Sequence, residues 1–209
     1  MAARRLLVIG TNNAAKGREL EELLAPYGFT VQTLRDFPSA LAVEEDGDTF
    51  AANARKKAIE QALHLKAWVL ADDSGLEVKA LDGRPGIFSA RYAGESATDA
   101  ANNEKLLEEL GDLPPERRAA RYFCHVALAD PRGEVRAESD GICTGRITRA
   151  PRGANGFGYD PLFELVEYHR TFGELGPHVK AALSHRARAL RGIAPKLAAL
   201  TAVWESTST

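Results

Sequence analysis

The chain has 209 residues, 44% of them apolar, and a formal charge of −2. That length buries a sizeable core without staples, and the near-neutral balance excludes a global basic field for holding a nucleic-acid backbone, so any phosphate binding has to be local. No apolar run approaches the roughly 20 residues of a membrane span. The opening Met1 to Gly10 has two arginines ahead of a short apolar run but lacks a long hydrophobic region and a cleavage site, which predicts a cytoplasmic protein with no membrane partner. Cys124 and Cys143 are the only cysteines, too few for a disulfide framework or a closed zinc site. The hairpin expected below sets Cys124 opposite Ser139, which keeps the thiols from direct pairing.

In chain order, residues 5 to 10 read as a buried strand, followed by the polar loop Thr11-Asn12-Asn13-Ala14-Ala15-Lys16. Leu20, Leu23, Leu24 and Tyr27 then recur at helical spacing. A loop of small and amide residues at a helix N-terminus, closed by a lysine, offers an anionic phosphate chain backbone N–H groups, the helix dipole and a mobile cation. It equally fits a helix capped by Thr11 or Asn13 with Lys16 exposed. A strand at 29 to 34 and an acidic loop, Glu44 to Asp48, lead to a helix capped by Asp48 or Thr49 and running through Ala62. Phe50, Asn53 and Lys57 share one face of it, and amide and ammonium groups on that stripe point to a wet cleft.

Next comes Val69-Leu70-Ala71-Asp72-Asp73-Ser74-Gly75-Leu76, where the pattern of a buried strand stops at two adjacent carboxylates. Alternation sends Asp72 and Asp73 to opposite faces, so only one faces a cleft directly. Like charges so close raise each other's pKa unless a cation offsets them, and a hard divalent metal is the usual answer. A solvated Asp-Asp-Ser-Gly turn is the plainer alternative. Leu76 to Ala80 with Asp82-Gly83 predicts a strand closing in a turn, and Pro85 to Gly94 an irregular loop in which Arg91 is either a phosphate ligand or a surface charge.

Ser96 to Asp99 has the pattern of a capping box, opening a helix with Leu106, Leu107 and Leu110 that Gly111 stops. Residues 120 to 129 and 134 to 143 flank Asp130-Pro131-Arg132-Gly133 and predict an antiparallel hairpin, with His125 an ordinary sheet residue. Arg152 to Pro161 carries three glycines, Phe157, Tyr159 and Asp160. Close backbone approach, flat rings and an acceptor suit a nucleobase, although the rings could instead plug the core. Ser184 reads as the cap of a final helix through Leu190, Ile193 and Leu197 that kinks or restarts after Gly192 because of Pro195. The tail from Glu205 to Thr209 is expected to be disordered. No repeat, linker or composition shift separates independent domains, so the whole chain, 1 to 209, is taken as one domain.

In order along the chain, Thr11 to Lys16, Glu45 to Phe50 with Asn53-Ala54 and Lys57-Ala58, Ala71 to Gly75, Pro85 to Tyr92, Gly156 to Pro161 and Ser184-His185-Arg186 together resemble the inosine triphosphate pyrophosphatase family. That family hydrolyses non-standard purine nucleoside triphosphates. The resemblance implies an α/β fold in two lobes, a mixed central sheet with flanking helices and an active-site cleft, a homodimer, and magnesium as cofactor. Residue by residue it implies that Thr11, Asn13 and Lys16 cradle the triphosphate, with Lys57 and Arg91 adding charge. Glu45 and Asp73 would hold the metal, with Asp73, beside Asp72, as proton acceptor. Phe157, Gly158, Tyr159, Asp160, Lys180, His185 and Arg186 would form the base pocket, and Ser74 a further substrate contact. Glu44 beside Glu45 leaves the metal carboxylate ambiguous by one position, and Gly173 to Lys180 is less acidic than the family pattern. A related pyrophosphatase for pyrimidine or modified nucleotides, and a nucleotide-binding protein without turnover, are the alternatives.

Overall fold

A computed structural model describes residues 5–200 and 204; the expected disordered tail, 205–209, lies outside them. The strands are β1 (Leu6–Ile9), β2 (Thr30–Thr33), β3 (Val69–Val78), β4 (Ala119–Ala129), β5 (Val135–Ile147), β6 (Phe163–Leu165) and β7 (Arg170–Thr171). The helices are α1 (Ala14–Leu24), α2 (Phe50–Leu65), α3 (Asp99–Leu110), α4 (Pro177–Leu183) and α5 (His185–Ala199). All seven strands belong to one sheet, in the order β2-β1-β3-β4-β5-β6-β7. It is mixed: β1 runs parallel to β2 and β3, whereas β6 is antiparallel to β5 and β7.

The chain packs as two compact units, one made of Met1–Asp73, Cys124–Gly141 and Arg186–Thr209, the other of Ser74–Phe123 and Ile142–His185. In the first unit, strand alternation splits the core in two. Leu7, Ile9 and Leu70 pack with Leu20 and Leu24 of α1 and with Leu190, Ile193 and Leu197 of α5, where Trp68 and Trp204 stack at 4.1 Å. Val8, Val69 and Ala71 turn the other way, onto Ala54, Ala58 and Ala62 of α2. Three alanines at every fourth position present a smooth stripe, so the helix backbone lies close to the strands. In the second unit, Leu76 and Val78 of β3 pack with Leu106 and Leu110 of α3 and with Tyr122, Phe163 and Phe172, the last two rings stacked 5.6 Å apart.

Two expectations change. The strand bearing Asp72 and Asp73 does not stop at them: β3 is continuous for ten residues, through Ser74 and Gly75 to Val78. Asp-Asp-Ser-Gly is turn-like when solvated, but here both carboxylates are buried and have cationic partners, so the turn has no water to reach and tertiary context overrides propensity. The second change is at Pro195, which lies inside a continuous α5. A proline removes one N–H from the ladder, and the buried Ile193, Ala194 and Leu197 around it hold the helix together. The predicted hairpin forms, with Gly133 N–H donating to Asp130 O at 2.8 Å and Asp130 N–H to Glu134 O at 3.0 Å. Cys124 and Cys143 are both buried free thiols, and burial raises the Cys124 pKa.

Candidate active site

The expected phosphate loop is the junction of β1 and α1. Asn13, not Thr11, is the helix cap: its Oδ1 accepts from Ala15 N–H at 2.9 Å and Lys16 N–H at 3.1 Å, while Thr11 Oγ1 accepts from Asn13 N–H at 3.2 Å. Thr11 and Asn13 thereby set the shape of the loop that starts α1. Lys16, in the first turn of α1, brings its ammonium within 3.6 Å of Asp72 Oδ2.

Asp72 and Asp73 diverge as alternation requires, each to its own set of partners. Asp72 has no solvent exposure and is approached by Lys16 and, at 3.3 Å, by the Nε of Arg186. Arg186 follows His185 at the start of α5, is itself buried, and pairs through its other end with Glu19 of α1. Burial works against its charge, but Asp72 and Glu19 outweigh that and raise its pKa. On the other face, Asp73 Oδ1 stands 3.5 Å from Lys57 Nζ, and its Oδ2 accepts from Asn53 Nδ2 at 3.1 Å. Asn53 in turn accepts from Gly47 N–H at 2.8 Å, tying the acidic loop to α2. Asn53 and Lys57 are four residues apart on α2, one helical turn, so both reach the same carboxylate.

Glu45 completes this cluster, with Oε2 3.1 Å from Lys57 Nζ, whereas Glu44 is exposed. The geometry therefore singles out Glu45 of the two adjacent glutamates. Burial raises the Asp73 pKa above the ordinary carboxylate value, and Glu45 adds to the rise; Lys57, Lys16 and Asn53 oppose without cancelling it. For Lys57 burial disfavours the charge, but Asp73, Glu45 and Asp72 prevail and raise its pKa. Among the described residues, no group of three or more His, Cys, Asp or Glu side chains is placed to hold a metal by itself. Two carboxylates converging on one ammonium nevertheless fit magnesium, which usually takes one or two protein carboxylates and completes its shell with water and substrate phosphate.

The second unit holds the residues expected at the base. Asp160 organises them: its Oδ2 accepts from Phe157 N–H at 2.9 Å and from Lys180 Nζ at 2.6 Å, and its Oδ1 from Tyr122 Oη at 3.4 Å. Lys180 Nζ also sits 4.3 Å from the centre of the Phe157 ring. Gly156 has φ +77°, and a Cβ there would meet Asp160 Oδ2 at 2.0 Å, so the turn admits no side chain. His185 is buried and stacks on Tyr122 at 4.6 Å. Tyr159 donates its hydroxyl to the Ser89 carbonyl at 2.8 Å. Phe157, Tyr159, Asp160, Lys180 and His185 thus form one connected group.

The remaining expected residues divide. Ser74 is partly buried within β3. Arg91 is 3.6 Å from exposed Glu95 and lies over the Phe88 ring, contacts that fit a surface charge. Arg186, assigned from sequence to the base pocket, has Asp72 and Glu19 as its described partners and belongs to the first unit. Sequence reasoning misses Glu19 and Ser89 altogether. The Ser89 hydroxyl accepts from Leu76 N–H at 2.9 Å and donates to Gly86 O at 2.6 Å, a role with no signature in spacing. For Asn53, helical periodicity gives the right face but not the partner.

Known proteins agree along nearly the whole chain. The Ham1 family model matches residues 7–196. A dITP/XTP pyrophosphatase of Rhodopirellula baltica is 56% identical over 191 residues, 91% of this chain and 92% of its own. A dITP/XTP pyrophosphatase of Desulforamulus reducens is 50% identical, covering 88% of this chain and 92% of its own. Among solved structures, a HAM1 protein from Coxiella burnetii superposes with a TM-score of 0.83 at 39% identity, covering 93% of this chain and 98% of its own. With these matches and a buried Asp73–Lys57–Glu45 cluster in hand, the chain belongs to the Ham1 family.

Proposed function

We propose that this protein hydrolyses the triphosphates of non-standard purines, inosine, deoxyinosine and xanthosine, to the nucleoside monophosphate and pyrophosphate. The observation that carries the reading is Asp73: a buried carboxylate with a raised pKa, held by Asn53 and Lys57 and sharing that ammonium with Glu45. A raised pKa makes a carboxylate a stronger base, which suits proton removal from water. The relatives named dITP/XTP pyrophosphatase support the substrate class.

In the proposed reaction, a water oxygen bonds to the α-phosphorus and the bond from that phosphorus to the bridging oxygen breaks. The electron pair leaves with pyrophosphate, and the water proton passes to Asp73. Lys57 and Lys16 offset charge on the phosphates, and the α1 N-terminus shaped by Thr11 and Asn13 donates backbone N–H groups to them. Glu45 and Asp73 would hold magnesium, which when bound supplies further charge neutralisation to the phosphate oxygens. Positioning and charge suffice for phosphoryl chemistry, so a covalent nucleophile is unnecessary.

The base is the task of the second unit's cluster. Phe157 offers a stacking face, and Lys180 and His185 offer donors to a 6-oxo acceptor. Adenine presents a 6-amino donor there, and leaving donors unpaired costs a few kcal/mol, about two orders of magnitude in selectivity. Arg186 enters the proposal as the residue that steadies Asp72. Ser74 remains a proposed substrate contact, and Arg91 a proposed further charge for the triphosphate. A homodimer and a cytoplasmic site of action complete the proposal on family grounds, checked by sedimentation and fractionation; no helix among the described residues is long and apolar enough to cross a membrane.

The test is pyrophosphate release from inosine, xanthosine, guanosine, adenosine and thymidine triphosphates, with magnesium and after its removal by EDTA. Metal-dependent turnover confined to the first two is expected. Equal turnover of thymidine triphosphate overturns the base assignment, and undiminished activity in EDTA overturns the metal.

A further inference from the structure

The base loop is anchored on its far side by two residues that the chemistry above does not use. Asp99, the first residue of α3, accepts from Gly158 N–H through Oδ2 at 2.7 Å. Asn103, four residues on, donates from Nδ2 to Gly158 O at 3.0 Å. That spacing puts both side chains on one face of α3, where they hold the two successive peptide groups linking Phe157 to Tyr159.

Helix capping does not account for this arrangement. Thr98 already caps α3, its Oγ1 accepting from Ala101 N–H at 3.2 Å, so the Asp99 carboxylate is spent on the loop. Packing does not account for it either. The same face of α3 and the loop line an open groove of about 700 Å³, with Asp99, Asn103, Leu107, Phe157, Gly158 and Pro161 on its walls. Gly158 has φ +60°, and a Cβ added there would meet nothing within 4 Å, so no side chain braces the turn from outside. Hydrogen bonds take that role. Inside the loop, Asp160 fixes Phe157 N–H and Lys180; outside it, only the α3 pair is seen at Gly158 among the described residues.

We propose that Asp99 and Asn103 are positioning residues for base recognition, clamping both peptide groups of Gly158 so that the Phe157 ring and Lys180 present a preformed surface to the purine. This rests on the reading that Phe157 to Asp160 and Lys180 take the base. A preformed loop spares the substrate the cost of ordering it. Because the clamp touches no reacting group, its loss falls on binding and base choice rather than on the chemical step.

The test compares Asp99→Ala, Asp99→Asn and Asn103→Leu with the unmodified protein, measuring kcat and KM for inosine and adenosine triphosphates together with Tm. Removing the charged acceptor in Asp99→Ala should raise KM for inosine triphosphate about tenfold or more, leave kcat within about twofold, and shrink the preference over adenosine triphosphate. Asp99→Asn keeps an acceptor in place and should recover most of the preference, a rescue that a merely structural role does not explain. Asn103→Leu removes a neutral bond and should raise KM about threefold. Lys180→Met serves as the control for the underlying reading. If Lys180→Met loses the preference while Asp99→Ala keeps both KM and preference, or loses kcat equally for both substrates, the clamp is overturned alone. If Lys180→Met keeps the preference, the base-loop reading fails and the clamp falls with it.

Discussion

Replacing Asp73 with Asn changes one atom in the centre of the proposed chemistry and removes its base. A positioned general base contributes about 10²- to 10⁴-fold, so kcat for inosine triphosphate should fall by that factor, equivalent to about 2.7–5.5 kcal/mol on the barrier. Stability should move much less. The carboxylate is held at a cost in the folded protein, since burial outweighs Lys57, Lys16 and Asn53 and raises its pKa; neutralising it removes that cost. Against this, the new amide N–H₂ faces either Asn53 Nδ2 or Lys57 Nζ, both donors, and one hydrogen bond is lost at about 1 kcal/mol. The two effects oppose, and for a chain of this size a net change of about 1 kcal/mol shifts Tm by about 2–4 °C. Single-turnover pyrophosphate release gives the rate, calorimetric titration of inosine triphosphate into the inactive variant gives the affinity, and a thermal melt gives Tm. Near-normal turnover with intact folding removes Asp73 from the role of base. A loss of turnover matched by collapse of the fold refutes the claim that its burial is a catalytic rather than a structural expense.

Two further substitutions probe the ionic framework. Arg186→Met leaves Asp72 buried with Lys16 as its nearest described cation; breaking a buried pair costs about 3–5 kcal/mol, so Tm should fall by roughly 6–20 °C, and an unchanged melt would show that Lys16 alone compensates. Asp130 is buried at the hairpin turn, where burial tends to raise its pKa but Arg136 and the Glu134 and Arg132 amides lower it below the ordinary 3.8. A depressed folded pKa contributes stability that is present above the unfolded value and lost as pH falls through the folded one. Asp130→Asn should therefore lower the urea midpoint at pH 7, by about 2 kcal/mol in stability, and the gap to the unmodified protein should narrow below about pH 4; a gap independent of pH would assign the loss to packing.

Sequence patterns disclose what is decided within a few residues. Asn13 and Thr49 cap their helices with their own side chains, Asp130 to Gly133 close a hairpin, and Asn53 and Lys57 face one way because a helix turns every 3.6 residues. The parts that stay hidden depend on distant partners. Nothing local says that Asp72-Asp73-Ser74-Gly75 continues a strand, since what holds it extended is a set of cations brought from α1, α2 and α5. Arg186 carries the same difficulty in sharper form: its partner Glu19 lies 167 positions away, so its motif suggests a ligand contact while its geometry shows an internal ion pair. The short β6, β7 and α4 are invisible because a few residues give no periodicity to read. Asp99 and Asn103 do have a signal, an acid and an amide one turn apart at the start of a helix, but capping accounts for that stretch well enough to hide it.

The adjacency of Asp72 and Asp73 has a mechanistic consequence. Because neighbouring side chains on a strand point to opposite faces, one strand delivers two buried carboxylates to different surroundings without bringing them into contact. Asp72 meets Arg186, whose charge is permanent, and can remain ionised as a fixed part of the first unit. Asp73 meets a lysine that also serves Glu45, so its compensation is shared and incomplete, which is why its pKa rises. The less-compensated carboxylate is the one suited to take a proton. Substitutions at the two positions should accordingly separate: loss of charge at Asp72 falls first on stability, and loss at Asp73 falls first on turnover. Were the aspartates interchangeable parts of a single acidic patch, the two losses would run together.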